Sequence, residues 1–484
     1  MEARDAPASG PIRVTGTGCL FVLEDEGVFF AMAQQALYVF NTPATLIWCC
    51  IEEGLSTDEI VRQYADTFDV DHAEARGHVA SVLDQWQGMG YIESRDVQGQ
   101  VEISFAMALG RLLGNDALRA EFAKSPSAAA GMLRLASADR EAFMFLDPRE
   151  LERQASRLGS RARRDVAPAG TDTLFSAMID QDHTVLEFAT GARWRRLGAP
   201  AIERLYRMLT TSVRVRFATA AQEAHVHAAL AHVEIDASLA SDVVLDILED
   251  GDRHVILEDL LPVGHCLGPG RLTPLVKSLI VQRALNRYPF FLQLHAGVVS
   301  NGKRCVVLPG APGSGKTTLT AGLAFSGFEY FSDEVAVLEE VTLTLRPFPL
   351  ALGIKPGSVG VLEELCPRVR ELQPFDREDG QRVRYLSPDA GTCASPDATL
   401  PAGWLIFPRY GSDLETELKP LRKPEALRRL MHECMVLPEL LDEARVERFV
   451  QWMRSVECYE LPMSSLGEAV RLVKRLCLDS RFQA

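Results

Sequence analysis

Residues 305–317 read CVVLPGAPGSGKT, an apolar run that opens into a glycine-rich loop. The loop, Gly310–Thr317, fits the pattern G-x-x-x-x-G-K-[S/T], and an apolar strand before it and a helix carrying Leu319 and Leu323 after it supply the context that this pattern requires. Glycines let backbone N–H groups curl around an anion, and the helix N-terminus adds positive potential. We therefore predict a phosphate-binding loop that holds ATP.

The residues expected to touch the nucleotide are Gly310, Ala311, Pro312, Gly313, Ser314, Gly315, Lys316, Thr317 and Thr318. Lys316 is expected to contact the terminal phosphates as a point charge, and Thr317 is expected to hold Mg²⁺ through its hydroxyl. Such a loop identifies a nucleotide but no reaction, because ATPases, GTPases and kinases share it.

Two flanking segments narrow the choice of reaction. Upstream, the strand-like run FLQL ends at His295, and downstream, after a turn at Gly327, the run FSDEVAVL places Asp333 beside Glu334. Two carboxylates near a phosphate site offer a metal ligand and a proton acceptor, both needed to move a phosphoryl group onto a hydroxyl. The alternatives are that His295 is a core histidine bonded to backbone, and that the acids serve nucleotide hydrolysis alone.

This arrangement resembles the C-terminal domain of the HPr kinase/phosphorylase family, with His295, Lys316, Gly327 and the acid pair at matching positions. The resemblance implies an α/β P-loop fold and transfer of phosphate from ATP, with Mg²⁺, to a seryl side chain. It implies catalytic roles for Asp333, Glu334, His295 and Lys316, with Asp333 as base and Glu334 supporting the metal that Thr317 also holds. The roles of the two acids could be exchanged, and Glu334 stands where the family has a second Asp. Whether ATP or another phosphate donor is used stays open.

A second stretch, RPFPLALGIK (346–355), resembles a segment of HPr-kinase-like proteins from peptide-modification pathways, as does FPRY (407–410). Lys355 or Arg409 could approach the phosphates and stabilise developing charge. The alternative for each is a surface or packing role.

Residues 1–96 have the pattern of a small separate domain. Strand-like runs precede three helix starts: Thr42 before Pro43, Ser56 with Glu59 as a capping box, and Asp71 with Glu74. Short strands with three capped helices predict an α+β, winged-helix-like module.

The run from Leu37 to Glu93 resembles the PqqD family through residues that recur there, namely Asn41, Ile47, Trp48, Gly54, Thr57, Glu59, Ile60, Gly90, Tyr91 and Ile92. The resemblance implies a domain that binds the leader segment of a ribosomally made precursor peptide by adding a strand to a sheet edge. In the alternative, this is a three-helix domain in which Trp48 and Trp86 are core residues.

The rest of the chain divides into a helical segment at 99–165 and an HPr-kinase-like domain at 173–484, whose P-loop core spans about 290–484. The helical segment resembles leader regions of modified-peptide precursors and is either a leader mimic or a spacer. Residues 161–172 form a charged, Pro-containing linker.

Bulk properties exclude several functions. The net charge of −15 argues against nucleic-acid binding, and no apolar run reaches the roughly 18 residues of a membrane span. The ten cysteines show no zinc-binding spacing. We expect a cytoplasmic protein, and a homo-oligomer is open.

Together these features predict an ATP-dependent kinase that phosphorylates Ser or Thr of a precursor peptide held by its leader. The alternatives are a nucleotide-hydrolysing regulatory switch and a non-enzymatic, nucleotide-gated peptide chaperone.

Overall fold

The structure is a computed structural model that describes residues 12–32, 34–94, 112, 116–133, 143, 144, 146, 148, 202–250, 252–377, 380–389, 391–433, 435, 436 and 441–478. The sequence-predicted linker at 161–172 and most of the segment at 99–165 lie outside these residues.

Among the described residues, the α-helices are α1 Thr42–Glu52, α2 Thr57–Phe68, α3 His72–Gly88, α4 Asp116–Lys124, α5 Pro126–Met132, α6 Ala220–Leu230, α7 Pro269–Arg287, α8 Lys316–Phe325, α9 Pro356–Glu363, α10 Lys423–Glu433, α11 Glu443–Ser455 and α12 Leu466–Leu478.

The strands are β1 Ile12–Val14, β2 Gly18–Leu23, β3 Glu26–Ala31, β4 Ala36–Phe40, β5 Ile92–Ser94, β6 Ile202–Met208, β7 Thr211–Phe217, β8 Glu234–Ile235, β9 Val243–Asp250, β10 Arg253–Glu258, β11 Leu261–Leu267, β12 Phe290–Leu294, β13 Ala296–Ser300, β14 Cys305–Pro309, β15 Glu329–Ser332, β16 Ala336–Glu339, β17 Leu345–Arg346, β18 Leu352–Ile354, β19 Pro374–Asp376, β20 Arg382–Leu386, β21 Ala402–Tyr410, β22 Lys419–Pro420, β23 Met435–Val436 and β24 Glu457–Met463.

The chain forms two compact units, and each draws on two stretches of sequence. The first unit combines Met1–Val166 with Glu439–Arg454, and the second combines Ala167–Pro438 with Ser455–Ala484. Helix α11 therefore belongs to the first unit, although more than three hundred residues separate it from β4.

In the first unit, an antiparallel sheet of order β2-β3-β4 packs one face against α1, α2 and α3, while β1 pairs with β5. Trp48 and Trp86 both lie in this core, with ring centroids 5.2 Å apart. The aromatic core explains why three short helices and three short strands hold together, since each large ring buries on the order of 150–250 Å².

The helix starts of this unit largely follow the sequence signals. Ser56 and Glu59 form the predicted capping box, and Asp71 accepts hydrogen bonds from the N–H groups of Ala73 and Glu74. The prediction of Thr42 as the cap of α1 is wrong. Asn41 is the cap, because its Oδ1 accepts from the N–H of Ala44 and leaves Thr42 as the first helical residue.

The second unit begins with a six-stranded sheet of order β11-β10-β9-β7-β6-β8, against which α6 and α7 pack. A four-stranded sheet of order β17-β16-β12-β23 and a three-stranded sheet of order β18-β20-β19 follow. Helix α7 is apolar along most of its length, and its buried residues join the core beneath the first sheet.

The phosphate-loop sheet has the order β15-β13-β14-β21-β24-β22. All five residues of β14 are buried, and β14 runs parallel to β21, which runs parallel to β24. Helices α8 and α12 contribute to the core on this sheet. The second unit is thus a mixed α/β body in which the loop after β14 leaves the middle of a sheet and enters a helix.

Within the described part of the chain, no helix is both long and apolar enough to cross a membrane.

Candidate phosphate and metal site

The loop between β14 and α8 has the strand–loop–helix geometry that its sequence predicts. Gly313 and Gly315 have φ angles of 91° and 95°, a region that residues with a Cβ adopt only at a cost, and Gly315 is the cap of α8. A Cβ on Gly315 would lie 2.5 Å from Cε of Met463 and 3.3 Å from Cβ of Tyr410. The glycine is therefore required by backbone conformation and by the close approach of the ends of β21 and β24.

Gly315→Ala is expected to weaken binding of Mg²⁺-ATP at least about tenfold, because backbone strain of about 1–3 kcal/mol falls on the loop that grips phosphate. Isothermal titration with a non-hydrolysable ATP analogue measures this effect. Gly302→Ala is the matched control, since Gly302 has a φ of 84° in a hairpin and a Cβ there meets nothing within 4 Å. Equal losses in both variants would contradict a specific role for Gly315.

Lys316 is buried at the first position of α8, with 7% of its surface exposed. Its Nζ donates to the carbonyl oxygens of Gly310 at 2.5 Å and Ala311 at 3.1 Å. The ammonium group therefore lies over the loop, where a phosphate oxygen can replace a carbonyl as its acceptor.

Asp333 and Glu334 lie in the turn after β15 rather than inside a strand. Asp333 is 2% exposed, its Oδ2 accepts from the N–H of Gly353 at 3.4 Å, and the nearby side chain of Thr317 acts to lower its pKa. Its Oδ1 is buried and has no hydrogen-bond partner in the part of the chain that the structure describes. Burial, followed by the charge of Glu334, raises the pKa of Asp333 to about 6.

Glu334 is held by two cations. Its Oε2 lies 3.1 Å from Nζ of Lys277, and its Oε1 lies 4.0 Å from the Arg377 guanidinium. Lys277 is 4% exposed and lies 4.9 Å above the ring centroid of Tyr385. Burial alone would raise the pKa of Glu334, but the charge of Lys277, with that of Arg377, lowers it below its ordinary value. The two neighbouring acids are thus shifted in opposite directions.

His295 lies at the junction of β12 and β13, and its Nδ1 lies 3.0 Å from the backbone carbonyl of Glu334. Because a carbonyl oxygen can only accept, Nδ1 carries the proton and Nε2 is an acceptor. Burial, with the positive charge of Lys316, lowers the pKa of His295 to about 4. His295 is therefore neutral at pH 7, and it joins the acid turn to the sheet.

Lys355 and Arg409 border this site in different ways. Lys355 is half-buried at the start of α9, and the Ser358 hydroxyl accepts a hydrogen bond from Thr318 at 2.8 Å, which ties α9 to α8. Arg409 is exposed and pairs with Glu460 at 3.3 Å, while the next residue, Tyr410, donates its N–H to the carbonyl of Ser314 at 3.0 Å. Both residues are close in sequence to groups that touch the loop or α8. Within the part of the chain that the structure describes, neither charged group forms an ion pair or hydrogen bond with Asp333 or Glu334.

Lys277 and Arg377 were missed from the sequence. Lys277 had a usable signal, since it is a single charged residue at helical spacing among the buried residues Thr273, Ile280 and Val281 of α7. Arg377 had none, because it lies in the charged stretch REDGQRVR of a hairpin.

The residues present fit a magnesium–nucleotide complex. No group of three or more His, Cys, Asp or Glu side chains suited to a metal occurs among the described residues. Thr317 and Asp333 nevertheless bring a hydroxyl and a carboxylate with an unpartnered oxygen together at the phosphate loop. Mg²⁺ is commonly bound by one or two protein oxygens together with phosphates and water.

Comparison with known proteins identifies the N-terminal part of the chain. The sequence profile of the family "Coenzyme PQQ synthesis protein D (PqqD)" matches residues 22–92. A solved structure described as "TbiB1 in Complex with the TbiA(beta) Leader Peptide" is 18% identical, covers 17% of this chain and 94% of its own chain, and gives a TM-score of 0.16. Comparison with curated proteins finds no match.

The family match confirms the resemblance inferred from Leu37 to Glu93. The chain carries a PqqD-like domain that includes β3, β4 and the three capped helices, followed by the mixed α/β body that holds the phosphate loop.

Proposed function

We propose that this protein is an ATP-dependent kinase that phosphorylates a Ser or Thr hydroxyl of a ribosomally made precursor peptide. The observation that carries the proposal is the meeting of Thr317 and Asp333 at the phosphate loop, with the ionised Glu334 beside them. A loop, a metal-binding pair and a separate carboxylate are the parts that phosphoryl transfer to a hydroxyl requires.

In this mechanism, the loop amides and Lys316 bind the terminal phosphates of ATP. Thr317 and Asp333 would hold Mg²⁺, which neutralises charge on the phosphate oxygens. This assigns the metal to Asp333 rather than to Glu334, because Asp333 has a buried oxygen without a hydrogen-bond partner and lies near Thr317, while Glu334 is engaged by Lys277.

Glu334 then faces the acceptor. The acceptor oxygen forms a bond to the γ-phosphorus as the bond to the bridging oxygen breaks, and ADP leaves. The hydroxyl proton passes to the Glu334 carboxylate, which Lys277 and Arg377 keep ionised and oriented before transfer. A weak base suffices here, because a loose transition state depends more on position and charge than on proton abstraction.

The PqqD-like domain is proposed to hold the leader of the precursor. Its strand β4 is an edge of the sheet for which the described residues provide no further strand, and Tyr38 on it is 43% exposed. An extended peptide can add to such an edge through main-chain hydrogen bonds. Tethering by the leader raises the local concentration of a short, disordered acceptor segment that would otherwise bind weakly.

Mass spectrometry of candidate precursor peptides after incubation with the protein and Mg²⁺-ATP tests the function. We expect the gain of one phosphoryl group on a peptide with its leader, and little gain on the same peptide without it. Nucleotide turnover without peptide modification would instead support a hydrolytic switch. Binding of peptide and nucleotide with neither reaction would support a chaperone.

Lys277→Met is expected to lower kcat about 10–100-fold at pH 7 and to move the acidic limb of the kcat profile to higher pH. The sign follows from the contacts: the Lys277 charge lowers the pKa of Glu334, so its removal lets burial raise that pKa and demands a higher pH for ionisation. A pH–rate series on the full chain measures the shift. Arg287→Met, at the exposed end of the same helix, is the control. A lower rate with an unshifted limb would exclude this role for Lys277.

A further inference from the structure

The central strand β3 is buried on both faces of the β2-β3-β4 sheet, although the three capped helices cover only one face. Side chains alternate along a strand, so Phe29 and Ala31 point into the helical core while Val28 and Phe30 point away from it. Val28 and Phe30 are nevertheless 0% and 1% exposed, and Leu23 on the same outer face is 0% exposed. Another part of the chain therefore covers these residues.

Helix α11 meets the sheet at both of its ends. Before the helix, the N–H of Leu441 donates to Oε1 of Gln35 at 2.8 Å, in the turn between β3 and β4. In the last turn, the Arg454 guanidinium donates to the backbone carbonyl of Val22, near the opposite end of the sheet. Two anchors at opposite ends fix the helix along the strands.

The lengths of the two elements agree with this placement. The 13 residues of α11 rise about 1.5 Å each, which gives roughly 20 Å. The six residues of β2 rise about 3.3 Å each, which also gives roughly 20 Å. Near the first end, burial and then the carboxylate of Glu443 raise the pKa of Cys19, an outer-face residue of β2, to about 11. The buried residues of the helix are Arg445, Val446, Phe449, Val450, Trp452 and Met453.

The chain leaving α11 leads directly to the phosphate loop. Val456 alone separates the helix from β24, which is hydrogen-bonded in register along β21 from Trp404 to Tyr410. The last residue of β24 is Met463, whose Cε packs against Gly315, and its carbonyl accepts from the N–H of Gly411. One continuous segment thus ends on the peptide-binding sheet at one side and on the phosphate loop at the other.

We propose that α11 and β24 act as a single coupling element, so that occupancy of the nucleotide loop and the state of the PqqD-like sheet influence each other. The inference rests on the proposed function for its biological meaning, namely a kinase that senses whether a leader is bound. Such coupling is reciprocal, because two sites that bias one element must alter each other's affinity equally. Because Val456 alone joins the helix to the strand, a change at α11 has a short covalent path to the side chain that packs on Gly315.

Hydrogen exchange on the full chain tests the coupling, with the non-hydrolysable analogue AMPPNP and Mg²⁺ as the probe. Saturation should slow amide exchange in residues 18–40 and 443–455 by about fivefold or more, the lower end of ordinary coupling energies. Binding of the probe, measured separately by calorimetry, without any change in those segments would overturn the proposal.

An insertion of three glycines between Ser455 and Val456 should uncouple the two sites. We expect nucleotide affinity to be retained and the exchange response of residues 18–40 to be lost. The same insertion at Val341, an exposed turn residue between β16 and β17, is the control and should leave the response intact. A response that survives the first insertion would show that α11 does not carry it.

A second hydrogen-exchange experiment uses no nucleotide. It therefore distinguishes failure of the coupling proposal from failure of the kinase proposal. Arg454→Ala removes one anchor and should speed exchange in β2, β24 and the loop 310–317, while the sheet β6–β9 stays unchanged. Gln451→Ala, on the exposed side of the same helix, should change none of them. If Arg454→Ala affects β2 but leaves β24 and the loop unchanged, the coupling proposal is wrong even if the kinase proposal stands.

Discussion

Lys316→Ala should reduce phosphoryl transfer to the precursor peptide at least about 10³-fold, because a buried charge aimed at the transferring group is lost. Lys316 is 7% exposed, and its ammonium group lies within 3.1 Å of two loop carbonyls. At position 316, a methionine or an arginine could fill the space of the lysine side chain, but neither would place a compact cation over the loop. Steady-state phosphorylation measured by mass spectrometry gives the rate ratio.

The same variant should bind the precursor peptide with unchanged affinity, because the peptide is proposed to contact the PqqD-like domain. Fluorescence anisotropy with a labelled leader-containing peptide measures that affinity. Lys303→Ala removes an exposed lysine from the hairpin before β14 and should leave both quantities unchanged. Full transfer by the Lys316 variant would rule out the mechanism, and loss of peptide binding would contradict the division of roles.

Asp333→Asn should lower the transfer rate by about 10²–10³-fold and at the same time stabilise the folded protein. The first effect follows from loss of the carboxylate proposed to hold Mg²⁺ with Thr317. The second follows from burial: the pKa of Asp333 is raised from 3.8 to about 6, so the ionised form is unfavourable in the native state. A neutral amide of the same shape removes that cost, which is about 1–3 kcal/mol at pH 7.

The pH dependence of the stabilisation has a defined sign. The native state holds the Asp333 proton more tightly than the unfolded chain, so this residue favours folding below pH 3.8 and loses that contribution as the pH rises towards 6. The gain in melting temperature on Asp333→Asn should therefore be full at pH 7.5 and smaller at pH 5. Asp413→Asn, in an exposed loop, is the control. A destabilised variant at pH 7.5 would show that ionised Asp333 is favourable where it lies.

Local signals predicted much of this molecule. Ser56, Glu59 and Asp71 mark helix starts through side-chain bonds that span only two or three residues, and the phosphate loop is a continuous motif. Such features are readable because every interacting atom lies within one short window. The start of α1 was placed one residue too late, because Asn and Thr both cap helices and only the backbone geometry shows that Asn41 is the cap.

Features that depend on distant segments were not predictable from a single sequence. Lys277 and Glu334 lie far apart along the chain, and their pairing depends on how α7 packs beside the acid turn. The membership of α11 in the first unit was also not predictable. Its amphipathic pattern indicates that one side is buried, but it does not indicate which segment packs against that side. The proximity of Thr317 and Asp333 was partly predictable. The spacing of the motifs indicated that both residues lie near the phosphate loop, but it did not show which acid lies closer to Thr317.

The split composition of the first unit has a consequence for synthesis. Ribosomes release about 5–20 residues per second, so roughly 20–80 seconds pass between the emergence of β4 and that of α11. During that interval the hydrogen bonds that Leu441 and Arg454 make to Gln35 and Val22 cannot form, so a nascent or prematurely terminated chain lacks these attachments to the sheet. Completion of the first unit is therefore delayed until the phosphate loop has already been translated.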